Sequence, residues 1–182
     1  MPLVGTSQSV SKLTQDKLYE YALRALGRRP HTSAELRAKL ARRSAEEADV
    51  EDVIARLRDN GYVDDELVAE SHSEFRRDYA LVGQKRVLDE LRRRGVDSST
   101  AERAVEGAYA EADEAGLARN FLRRKLGQDL KGAKVEGRRE LNRLYGALAR
   151  AGFEPHVIAD TLREVSDDDE LLDAFANLDG GG

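Results

Sequence analysis

Leu40-Ala41-Arg42-Arg43-Ser44, Leu91-Arg92-Arg93-Arg94-Gly95 and Leu148-Ala149-Arg150-Ala151-Gly152 read as three copies of one turn. Each opens on a leucine, runs through a basic step and ends on Ser or Gly. Four residues before each leucine stand Leu36, Val87 and Leu144. Ten, fourteen and seventeen residues after it stand Val50, Ile54 and Leu57, then Ala101, Val105 and Ala108, then Ile158, Leu162 and Val165. Offsets of four and three mark one face of an α-helix, and the gap of ten leaves room for a turn between two such faces. The leucines are 51 and 57 residues apart, a period typical of stacked helical units. This predicts an all-α chain of three tandem three-helix (helix–turn–helix-like) repeats, whose apolar faces need neighbours and whose outer faces carry arginine.

Local signals agree with that period. Thr32-Ser33-Ala34-Glu35 reads as a capping box ahead of Leu36, and Ser99-Thr100-Ala101-Glu102 as a second one. Glu154-Pro155 opens the equivalent helix of the third repeat, with proline where a missing N–H is harmless. Asn60-Gly61 resembles a hairpin dipeptide, but Val50, Val53, Ile54 and Leu57 before it are helically spaced, so Gly61 reads as a helix stop. Gly95 and Gly152 fall at the same turn of two copies. The expected organisation is a flexible leader over 1–15, repeats over 16–64, 65–114 and 115–165, and an acidic, Gly-ended, disordered tail over 166–182. A longer loop is expected at 127–134.

Composition narrows the chemistry. The chain of 182 residues has no Cys, no Trp, six Tyr and four Phe, which suits several small cores filled by Leu, Val and Ala. Without Cys there is no disulfide frame and no thiolate metal site, in keeping with a cytoplasmic protein. No apolar run approaches the roughly 20 residues that span a bilayer, so no membrane role is expected. The net charge of −5 conceals segregation. The stretch 166–182 holds six acids and no base, 44–70 is net −8, 72–94 is net +3 and 117–143 is net +6. These stretches give the expectation of an acidic first repeat followed by two basic ones.

Catalytic constellations are not in evidence. His31, His72 and His156 are isolated, whereas zinc needs about four grouped ligands. Gly127-x4-Gly132 with Lys134 has the lysine one place late, no Ser or Thr after it and no strand before it, which argues against a phosphate loop. No nucleophile is paired with a base. The chain reads as a non-enzyme without cofactor. Its candidate contacts are the basic residues Lys85, Arg86, Arg92, Arg93 and Arg94 on the middle helix of the second repeat, and Arg123, Arg124, Lys125, Arg138, Arg139 and Arg143 in the third. Arg139 and Arg143 stand four apart, on one helix face. Such a surface suits phosphates or an acidic protein.

Read in order, several segments resemble the RecX family of bacterial regulators of the RecA recombinase. They are Tyr21-Ala22-x-x-Ala25-Leu26, Thr32-Ser33-x-Glu35-Leu36-x-x-Lys39-Leu40, and Val53-x-x-x-Leu57-x-x-x-Gly61-Tyr62-Val63-Asp64-Asp65. Gly83-x-x-Arg86-Val87-x-x-Glu90-Leu91-x-x-x-Gly95-Val96 and Leu144-x-x-x-Leu148-x-x-x-Gly152-Phe153-x-x-x-x-Ile158 continue the likeness, which covers about residues 18–165. The resemblance implies tandem three-helix units in an extended, curved arrangement. It implies a monomer that binds the RecA–DNA filament and inhibits recombinase, ATPase and strand-exchange activity, within homologous recombination, DNA repair and the SOS response. It places Gly61, Tyr62 and Asp65 at a unit junction, and Gly83, Leu91 and Gly95 around the middle helix pair. The acidic first repeat and tail imply only weak binding to single- or double-stranded DNA on its own. From the residues alone, an autonomous helix–turn–helix DNA binder and a helical protein–protein adaptor remain open.

Overall fold

The structure, a computed structural model, describes residues 12–127, 135 and 137–177, with the side chains of 125 and 126 excepted. The predicted loop beyond Gly127 and most of the predicted leader lie outside the described residues. Three helices form the first repeat: α1 (Gln15–Leu26), α2 (Ser33–Ala41) and α3 (Glu47–Asp59). The second comprises α4 (Asp65–Phe75), a π-helical turn (Arg76–Ala80), α5 (Gln84–Arg93) and α6 (Ser98–Tyr109). The third comprises α7 (Glu114–Leu126), α8 (Arg138–Arg150) and α9 (Pro155–Arg163), and one further helix, α10 (Asp169–Ala176), follows it. The protein is all-α and built of tandem three-helix repeats. All fifteen apolar positions that define the repeat are buried, and Leu40, Leu91 and Leu148 are wholly inaccessible.

The chain forms two compact units, Met1–Val68 with Arg94–Val96, and Ala69–Arg93 with Asp97–Gly182. In the first, Leu18 and Ala22 of α1, Leu36 and Leu40 of α2, and Val50, Val53, Ile54 and Leu57 of α3 make the core. The capping box is formed in full: the Thr32 hydroxyl accepts from the Glu35 N–H, and the Glu35 carboxylate accepts from the Thr32 N–H. Gly61 has φ +70° and closes α3, with the Tyr62 N–H donating to the Leu57 carbonyl at 2.9 Å. The Asp65 carboxylate accepts from the Ser33 N–H at 2.7 Å and lies 3.7 Å from Arg58. Tyr62 itself is exposed. At the other end of the repeat the Leu13 N–H donates to the Arg43 carbonyl at 2.8 Å, so the last residues of the expected leader are tied to the turn after α2.

The second unit holds a core of Phe121, Leu122, Leu141, Leu144, Leu148, Phe153, Ile158, Leu162 and their neighbours. In this unit Tyr109 is buried and its phenol donates to the Val82 carbonyl at 2.6 Å. The two units use one kind of join at equivalent positions. In the first, the Thr32 hydroxyl donates to the Arg94 carbonyl at 2.6 Å. In the second, the Gly83 N–H donates to the Ala151 carbonyl at 2.9 Å. Thr32 and Gly83 both precede a repeat leucine by eight, and Arg94 and Ala151 both follow one by three. Gly95 (φ +77°) and Gly152 (φ +88°) come next, turning the chain through the left-handed region.

Two expectations need correction. The segment 166–182 is not wholly a disordered tail, because Asp169–Ala176 is helical and packs Leu172 and Phe175 into the third-repeat core. Counting its acids hid their role: the Asp168 side chain accepts from the Leu171 N–H, and Asp169 and Glu170 occupy the first turn, where the helix dipole favours negative charge. The second expected capping box is not the cap of its helix: α6 begins at Ser98, and Asp97 rather than Ser99 caps it by accepting from the Ser99 and Thr100 N–H groups. In the second repeat α4 passes into a π-helical turn at Arg76 that ends at Leu81, the one described non-glycine residue with positive φ (+54°). Such turns often mark functional positions.

Candidate functional site

The candidate basic residues divide by what they touch. Arg94 is half-buried and its guanidinium meets the Glu35 carboxylate through Nε at 3.1 Å and Nη2 at 3.3 Å. Glu35 also receives Arg29 at 3.1 Å. Arg94 therefore belongs to the scaffold of the first unit rather than to an open surface. Burial alone would raise the Glu35 pKa, but hydrogen bonds from Arg94, Arg29 and the Thr32 N–H overcome it and pull it from 4.5 down to about 2. A depressed carboxylate adds stability above its unfolded pKa and loses it as pH falls through the folded value. Glu35→Gln should thus cost about 1–2 kcal/mol at neutral pH, since the pair is partly screened by solvent. The gap from wild type should close between pH 4.5 and about 2 in urea melts across a pH series.

In the second unit the basic residues are exposed, and most have a carboxylate beside them. Lys85 lies 2.9 Å from Glu154, Arg92 3.0 Å from Glu102, and Arg143 2.6 Å from Glu140. Arg86 meets Glu90 at 3.0 Å and the Arg150 carbonyl at 3.2 Å. Arg138 is 3.7 Å from both Asp168 and Glu170, so acids at the start of α10 face one cation of α8. The Arg123 guanidinium donates to the Asn120 side chain, and that of Arg124 to the Tyr79 carbonyl. Arg93 and Arg139 are exposed and make no ion pair with another described residue. The side chain of Lys125 is outside the described residues. The arginines are distributed over the N-terminal end of α5, its C-terminal end, and α7 and α8, not gathered in one pocket.

Two features escaped sequence reasoning. Phe75 and Tyr79 are 55% and 66% exposed, and their rings stack at 5.2 Å between centroids. They straddle the start of the π-helical turn, and Arg124 reaches one of its last carbonyls, that of Tyr79. Their four-residue spacing marks one side of a helix but does not say whether that side is buried or open. Glu90 is the second feature: half-buried, it accepts from Arg76 at 2.7 Å, Arg86 at 3.0 Å and His72 Nε2 at 3.1 Å. Burial opposes its ionisation, and its hydrogen bonds and cations, Arg86 first, hold its pKa below the usual value. This carboxylate collects three side chains from α4, the π-helical turn and α5, a structural tie rather than a reactive centre.

Known proteins share this architecture. Residues 19–57 match the family model of the RecX first three-helix domain. The protein named Regulatory protein RecX from Mycobacterium sp. (strain KMS) is 38% identical over 151 residues, covering 81% of this chain and 81% of that protein. This chain belongs to the RecX family. A RecX regulatory protein from Deinococcus radiodurans is 36% identical over 153 residues, 84% of this chain and 70% of its own length. The crystal structure of RecX from Lactobacillus salivarius superposes with a TM-score of 0.67 at 22% identity, covering 83% of this chain and 96% of that one, which shows the same fold. The RecX relatives are named as regulators, and no helix among the described residues is long and apolar enough to cross a membrane.

Proposed function

We propose that this RecX-family chain is a non-enzymatic, cytoplasmic regulator that binds the RecA–DNA filament and inhibits its ATPase and strand-exchange activities. Family membership over four fifths of the chain carries the reading. The surface chemistry of the second unit supports it. Arg93 and Arg139 have exposed charge with no ion-pair partner among the described residues, and Lys85, Arg86, Arg92, Arg123, Arg124, Lys125, Arg138 and Arg143 complete the basic set. The exposed ion pairs among them are worth about 0–1 kcal/mol each, so their cations exchange an internal carboxylate for a phosphate or an acidic partner at little cost. Phe75 and Tyr79 beside Arg124 supply the apolar centre, since aromatic and arginine side chains dominate protein interfaces. Inhibition follows if the protein binds an inactive filament geometry more tightly than the active one, because differential affinity shifts the population.

The test is RecA ATPase and strand exchange with the protein titrated in. Inhibition is expected at substoichiometric to equimolar protein. Phe75→Ala/Tyr79→Ala and Arg93→Ala/Arg139→Ala should each raise the concentration for half inhibition by about tenfold, a contribution of ~1.4 kcal/mol, with the melting curve unchanged. Absence of inhibition at a few molar equivalents of RecA would refute the reading.

A further inference from the structure

Over 16–64 the first repeat carries ten acids and ten Lys or Arg, and several of its cations converge on one side. An open cleft of about 360 Å³ is lined by Arg24, Arg28, Arg29, His31 and Lys39, with Tyr21 and Ala25 completing its wall. No carboxylate lines it. The cations arrive from three places: Arg24 from the last turn of α1, Arg28 and Arg29 from the turn that follows, and Lys39 from α2. A helix C-terminus accounts for one basic residue near its last carbonyls, but not for a lysine contributed by another helix.

Their pairing is uneven in an informative way. Arg29 has a partner in Glu35 at 3.1 Å, whereas Arg24, Arg28 and Lys39 make no ion pair with a described residue. The wall between them is built and not merely a scatter of side chains. Arg43 packs over the Tyr21 ring at 4.3 Å from its centroid, and the buried His31 ring is fixed by Nδ1 at 2.8 Å from the Arg29 carbonyl. Burial lowers the pKa of His31, with the charges of Arg29 and Lys39 acting the same way and the Arg29 carbonyl and the Glu35 carboxylate opposing them.

We infer that the cleft formed by Arg24, Arg28, Arg29 and Lys39 is a phosphate-binding site of the first repeat, and that its occupant is the phosphodiester backbone of a nucleic acid. Openness favours the backbone over a free anion, because a small anion is held by donors converging around it, whereas a strand passes along an open, positive groove. The site would give the protein a nucleic-acid contact separate from the arginines of the second and third repeats. It stands whether or not RecA is bound.

Fluorescence anisotropy with a labelled single-stranded oligothymidylate, without RecA, tests it directly. The variant Arg24→Ala/Arg28→Ala/Lys39→Ala, checked for an unchanged circular dichroism melt, should bind about tenfold more weakly at low salt. The slope of log K against log salt should fall by about two, as for three lost phosphate contacts on a single strand. Unchanged affinity and slope, or no measurable binding by the wild-type protein at low salt, would overturn the inference. A parallel NMR titration with inorganic phosphate separates the sources. Saturable shifts of the Arg24, Arg28 and Lys39 amides, with oligonucleotide affinity untouched by the triple substitution, would assign the cleft to a free anion and refute the backbone assignment. Because RecA is absent throughout, failure here leaves the ATPase test unaffected, and the reverse holds too.

Discussion

Gly152→Ala should destabilise the second unit by about 3–5 kcal/mol, and lower its melting temperature by about 10 °C or more. Two causes add at this position. Gly152 has φ +88°, where any Cβ is strained. The new methyl would also collide with the backbone nitrogen and Cβ of Arg86, at the start of α5, and α5 cannot retreat cheaply. Its second residue is held there by the Lys85 N–H donating to the Gly152 carbonyl at 3.2 Å, and Gly83 by its bond to Ala151. Gly61→Ala is the control that separates the two causes. Gly61 has φ +70°, and a methyl group on its Cα would meet nothing within 4 Å, so only the conformational part, about 1 kcal/mol, should appear. Equal losses at both positions, measured by urea denaturation, would show that close approach of α5 contributes nothing.

Deleting residues 166–182 should destabilise the third repeat by several kcal/mol rather than leave it untouched. Leu172 is fully inaccessible and Phe175 nearly so, and the Phe175 ring stacks on Tyr145 at 4.3 Å. Arg163 of α9 bridges to Asp173 at 2.5 Å. Removing two buried side chains of this size costs about 2–5 kcal/mol each when a cavity remains, and less where neighbours close the gap. Leu172→Ala alone should cost about 2–4 kcal/mol. A solvated tail would show neither loss. The same deletion removes Asp168 and Glu170 from Arg138, so a change in filament affinity after truncation must be compared with Leu172→Ala to separate lost packing from released charge.

How much was legible in the chain differs between fold and surface. The repeat was legible because burial is periodic. Leu36, Leu40, Val50, Ile54 and Leu57 must share a side of their helices to leave water together, and the same offsets recur twice. The capping box at Thr32, the stop at Gly61 and the turn at Gly152 depend on residues within a few positions, so local chemistry announced them. Helix α10 was missed because charge was weighed over spacing, although Leu171, Leu172 and Phe175 carry a helical interval. The π-helical turn had no such signal, since its extra residue per turn answers to the packing of its neighbours.

Charge was the least legible property. The acidic stretch 44–70 made the first repeat read as acidic, yet 16–64 holds ten acids and ten Lys or Arg; Arg24, Arg28 and Lys39 meet around one cleft while Glu46, Glu47 and Glu51 lie elsewhere. Arg92, Arg93 and Arg94 are consecutive in the chain and have three different situations: paired with Glu102, exposed and unpaired among the described residues, and half-buried against Glu35. By itself the sequence determined the all-helical repeat, its register, the capping box at Thr32 and its family, because these rest on short-range periodicity and local hydrogen bonding. The tertiary structure alone decided which arginine meets which carboxylate and which remains available. Apart from helical neighbours such as Arg86 and Glu90, those pairings cross turns and helices, with Arg92 10 positions from Glu102 and Arg94 59 from Glu35, and an ion pair depends on distance in space, which sequence spacing does not encode.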